Sequence, residues 1–104
     1  MKVMASIESS MKDPKSADYF NAAVFFLETD RDINKAKSWV DRAMEMREDK
    51  PYWMLRQQSL IYAKAGETKT AIKLAMQSLE EAEKAGNADY VKMNKASLKE
   101  WGAY

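Results

Sequence analysis

Shifting this chain against itself by 35 residues brings like residues into line. Phe20 falls on Leu55, Leu27 on Tyr62, Ala36 on Ala71, Val40 on Ala75, Ala43 on Ser78 and Met44 on Leu79. Bulky side chains meet bulky ones, and small meet small. Self-similarity at this period means one supersecondary unit used twice, each copy unable to bury its apolar face alone. The residue types make that unit helical. Ala, Lys, Glu, Met, Leu and Gln dominate, β-branched residues are sparse, and no segment alternates as a half-buried strand would.

Breakers at regular intervals divide the chain into six expected helices. The first covers about residues 2–11, with Val3, Met4, Ile7 and Met11 on one face. Asp13 reads as an N-cap and Pro14 as the first residue of a second helix, 14–29, because proline's missing N–H costs nothing there. The centre of that helix, Tyr19 to Leu27, carries no charge, so it should pack on more than one side. Asp30 or Asp32 caps the third, 32–48, with Ala36, Trp39, Val40, Ala43 and Met44 buried. Pro51 opens the fourth, 51–65, which carries Trp53, Leu55, Leu60, Ile61 and Tyr62. Gly66 stops it, since glycine takes a left-handed backbone without a Cβ clash. The fifth, 68–84, runs through Ala71, Leu74, Ala75, Ser78, Leu79 and Ala82 to Gly86. Asn87 caps the last, 88–101, where Tyr90, Met93, Leu98 and Trp101 share a side.

A period near 34 residues with helix–turn–helix grammar resembles tetratricopeptide repeats. Tyr62, Gly66, Ala71 and Leu79 fit that pattern in the second unit, whereas the first has Arg31 where a turn glycine is usual. The resemblance implies one all-α domain over 1–104: a solenoid of two helix–turn–helix units with capping helices at both ends. A second likeness lies in Leu55–Gly66 and Ala85–Trp101, and in Asp32 to Trp39. These segments resemble the helical C-terminal tail of a bacterial family of unknown function, whose members carry an N-terminal β-rich domain and are usually exported. The likeness covers almost the whole chain, and the β-rich domain is missing. Either a fragment or a stand-alone relative is implied, with an origin in the cell envelope or periplasm.

Composition narrows the function. With no cysteine and no histidine, disulfides, thiol nucleophiles, imidazole metal sites and a histidine switch are excluded. Seventeen basic and 16 acidic residues, evenly spread, give a net charge of +1. That leaves no electrostatic footprint for nucleic acid or an anionic membrane. No signal segment opens the chain, and its longest apolar run, Ala22 to Leu27, is far short of the ~20 residues that span a bilayer. A soluble polypeptide is expected.

Catalytic and metal constellations are not expected either. Asp30, Asp32 and Asn34 imitate the first ligands of a calcium loop, but Lys35 replaces the glycine of its sharp turn, and capping explains these acids more simply. Glu80, Glu81 and Glu83 beside Lys84 should face water on an amphipathic helix. No serine has a histidine to activate it, and the isolated glycines cannot cradle a phosphate. No cofactor is implied. Met44, Met54, Met76 and Met93 fall at core spacing, and Trp39 is expected in the core as well.

What remains is recognition. The first helix of each tetratricopeptide-like pair lines the concave side. The groove is therefore expected from Asn21, Phe25 and Glu28, then Trp53, Arg56 and Leu60, with Asn94 and Leu98 from the last helix. Tryptophan and arginine are over-represented among interface anchors. The competing account packs Trp53 under the last helix and pairs Arg56 with Glu28 or Asp89. Lysines and asparagines of chaperone-binding carboxylate clamps are replaced here by Asn21, Phe25 and Trp53, so a chaperone C-terminus is not the expected ligand. The leading expectation is a non-catalytic docking module with a shallow groove for a peptide or partner domain. The alternative is an assembly tail that self-associates or packs on a β-rich domain, motivated by Phe25 and Phe26 on different sides of one helix.

Overall fold

The computed structural model describes residues 15–103. They form five α-helices: α1 (Ser16–Glu28), α2 (Ile33–Glu45), α3 (Tyr52–Lys64), α4 (Thr68–Ala85) and α5 (Ala88–Glu100). No strand occurs among the described residues. The all-α class is as expected, with five helices among the described residues. The expected helix over 2–11 and the Asp13–Pro14 cap lie outside the described residues. The chain divides into two compact units between Glu48 and Asp49.

In the first unit, α1 packs on α2. Ala22, Ala23 and Phe26 are buried on α1, and Ala36, Val40, Ala43 and Met44 on α2. The small residues let the two backbones approach, and the Phe26 ring then meets the half-buried Trp39 edge-on, centroids 4.8 Å apart. The uncharged centre of α1 is not sealed all round, because Phe25 remains 38% exposed.

Of the two capping candidates, Asp32 does the capping. Its Oδ1 accepts from the Asn34 and Lys35 N–H groups at 3.0 and 3.4 Å. Asp30 instead turns the chain, at φ +54°. Helix α2 ends at Glu45, short of the expected residue 48. Past Met46, itself 40% exposed, the segment Arg47 to Lys50 is fully charged, and Pro51 disfavours helical backbone just before it.

In the second unit, α4 packs on both α3 and α5. Its buried line is Ala71, Ala75, Ser78 and Ala82. Met54, Leu55, Gln58, Ser59 and Ile61 are buried on α3, and Asn94, Ser97 and Leu98 on α5. Full burial of a side chain such as Ile61 contributes about 1.5–3 kcal/mol.

Trp53, expected in the groove, is 40% exposed, and neighbouring Met54, at 1%, takes the interior place. Two inward assignments need correction. Met76 and Met93 are 44% and 37% exposed. Met76 sits one residue past Ala75, about 100° off the buried line of an α-helix. Met93 is displaced in the same way from Asn94.

The repeat survives in three dimensions. Ala36 and Ala71, Val40 and Ala75, Ala43 and Ser78 are all 0% exposed. Phe26 and Ile61, also 35 apart, are both buried.

Candidate partner-binding face

Trp53, Arg56 and Leu60 follow one another at i, i+3 and i+7 on α3, so they share one side of the helix. Trp53 is exposed, while Arg56 and Leu60 are half-buried. Beneath them runs a chain of polar contacts linking all three helices of the unit. The Ser78 hydroxyl of α4 donates to the Tyr52 carbonyl at 2.7 Å. Asn94 Nδ2 of α5 donates to Ser78 Oγ at 2.8 Å. Arg56 Nη1 then donates to Asn94 Oδ1 at 3.2 Å and to Ser97 Oγ at 3.3 Å. Asn94 and Ser78 are fully buried. Each group must be hydrogen-bonded to be tolerated there, and each is.

The start of α5 is secured from the same side. Asn87 caps it, accepting from the Tyr90 N–H at 3.1 Å, and its Nδ2 donates to the Tyr52 hydroxyl at 3.0 Å. The Tyr52 and Tyr90 rings meet edge-on at 4.9 Å. Burial lowers the Arg56 pKa, and the nearby Tyr90 opposes that shift. The guanidinium nonetheless stays charged at any physiological pH.

This placement sorts the expected groove residues. Asn21, Phe25 and Glu28 are exposed on one side of α1, in the first unit. Trp53, Arg56 and Leu60 form the accessible face of α3. Asn94 and Leu98, expected on the groove wall, are 0% exposed. They are interior residues, because the 94–98 line of α5 is the side turned into its own unit. Asn94 therefore touches Arg56 from below instead of sharing a surface with it. Arg56 donates to a neutral amide and a hydroxyl, and the titratable group acting on it is Tyr90. Sequence reading missed Ser97 and Tyr90 as supports. The available signal was Ser78, a polar residue on the line of small side chains where the first unit has Ala43.

No group of three or more acidic, histidine or cysteine side chains converges among the described residues. Asp32 is engaged in capping. On the exposed face of α4, Lys84 bonds Glu80 at 3.4 Å and Glu81 at 3.2 Å. These hydrogen bonds raise its pKa, Glu81 contributing most. A hollow of about 490 Å³ is lined by Glu83, Gly86, Ala88, Val91, Lys92 and Lys95, and holds a single carboxylate. None of the described helices is long and apolar enough to cross a membrane.

No family model matches the chain, and no curated protein or solved structure matches it either.

Proposed function

We propose that the chain is a non-catalytic docking module built from tetratricopeptide-like hairpins, which binds a peptide or partner domain through the α3 face. The observation that carries this reading is Trp53. A large indole left 40% exposed sits three residues from an arginine that Asn94 and Ser97 hold in place. Rigid aromatic–arginine pairs lose little freedom on binding, which is why they recur as interface anchors. Equivalent burial at positions 35 apart supports the repeat reading. By its likeness to the bacterial family's tail, the natural partner would be a β-rich domain in the cell envelope.

The test is selection of binders from a random peptide library displayed on phage. Their affinity for Trp53→Ala should fall at least about ten-fold, or 1.4 kcal/mol, with the helical circular dichroism unchanged. Equal affinity for the variant would refute the assignment.

A second reading, self-association, is favoured by Phe25, which is 38% exposed with the Arg31 guanidinium 5.2 Å from its ring centroid. Light scattering at high micromolar concentration decides: a clean monomer removes it.

A further inference from the structure

Arg56 is half-buried, and its described hydrogen bonds go to the Asn94 amide oxygen and the Ser97 hydroxyl. Neither carries a charge, and the titratable group that acts on Arg56 is Tyr90, not a carboxylate. Partial removal of a cation from water costs free energy that only an opposite charge recovers well. The direction of its pKa shift, downward through burial, records that cost.

Both described bonds leave from Nη1, and Nε with Nη2 makes up the other, forked edge of the guanidinium. Such an edge matches the two oxygens of a carboxylate. Trp53 lies one helical turn before Arg56 and Leu60 one turn after, on the same side of α3.

The ligand's charge can be narrowed further. Helix α3 carries only one other formal charge, Lys64, two turns beyond Arg56 near the helix end. A lone guanidinium suits a single monovalent group. Phosphates and nucleic acid backbones are held by several cations together.

We propose that Trp53, Arg56 and Leu60 recognise an aspartate or glutamate side chain next to an apolar residue in a partner protein. Arg56 takes the carboxylate, while Trp53 and Leu60 cover the apolar neighbour. The assignment rests on the docking role proposed above and adds the chemistry of its ligand.

The probes are two blocked peptide libraries, acetylated and amidated so that no terminal carboxylate competes. They are identical except for a central Glu-Leu in one and Gln-Leu in the other. The Glu-Leu set should bind at least about ten-fold tighter at low salt, the preference shrinking as salt is added. Arg56→Gln should abolish the preference, and Trp53→Ala should weaken both sets. The glutamine peptides leave the protein untouched, so the comparison survives even if Arg56→Gln unfolds. Equal binding of the two sets, with both weakened by Trp53→Ala, overturns the acidic assignment and leaves the docking role standing. No binding by either set, or binding indifferent to Trp53→Ala, overturns both.

Discussion

The two hairpins, α1–α2 and α3–α4, share a pattern of buried positions but close themselves by opposite means. In the first, a hydroxyl on the leading helix reaches across: Ser16 Oγ donates to the Ala43 carbonyl at 2.8 Å. In the second, the hydroxyl sits on the trailing helix, at the position equivalent to Ala43. There Ser78 Oγ donates back to the Tyr52 carbonyl at 2.7 Å. Both contacts join the start of one helix to the later part of its partner. The donor and acceptor sides are exchanged.

The exchange has consequences. A serine on the trailing helix has a lone pair left over, and Asn94 uses it to bring α5 into the network. The first hairpin has Ala43 at the equivalent position, which offers no hydroxyl to share. The lesson is that the small-residue line sets how closely the helices pack, whereas the placement of one hydroxyl decides whether polar side chains can be supported nearby. Arg56 is held in place only where that support exists.

The largest test of this contrast is Asn94→Ala. It removes a fully buried side chain, takes one acceptor from Arg56 and leaves Ser78 with its Tyr52 bond alone, so about 3 kcal/mol of stability should be lost. Hydrogen exchange should show the loss in α3–α5 and not in α1–α2. A cost under about 1 kcal/mol would mean the network contributes little.

Next comes the hydroxyl itself. Ser78→Ala gives the second hairpin the residue of the first, and should cost about 1–2 kcal/mol, since Asn94 also loses an acceptor. Ser16→Ala, in a half-buried contact serving one bond, should cost about 0.5–1 kcal/mol in urea unfolding. Equal costs would break the claim that only one of the two contacts carries further load.

The turns differ as well. Gly66 stands at φ +87° with its Cβ direction open, whereas Asp30 takes φ +54° in the first hairpin. Gly66→Ala should therefore cost about 1 kcal/mol through backbone strain alone. Asp30→Gly should change the melting point little, because relief of strain is offset by a more flexible unfolded chain.

The smallest effect belongs to Lys84. Its pKa is raised in the folded state, so its contribution is fully present below the ordinary lysine value and fades as pH climbs through the raised one. Because the group is fully exposed, Lys84→Met should leave stability at neutral pH nearly unchanged in thermal unfolding.

Helix type and order, the turn at Gly66 and the Asn87 cap were legible because they depend on local backbone rules and a 3.6-residue period. The choice between Asp30 and Asp32 was not. Both are good capping residues, and one turn residue had to accept a positive φ in place of the glycine that the first hairpin lacks. Met76 and Met93 posed a similar difficulty. Adjacent residues differ by about 100° around a helix, and apolar character does not say which one faces inward.

The repeated line of small and large residues by itself determined that this chain forms helical hairpins, since spacing around a helix is a property of sequence. Only tertiary structure decided that Asn94 and Leu98 turn inward, that Met76 and Met93 turn outward, and that Arg56 rests on neutral partners. Those outcomes depend on which groups three separate helices bring within hydrogen-bond reach, and residues 16 to 41 positions apart in sequence carry no local signal of their meeting.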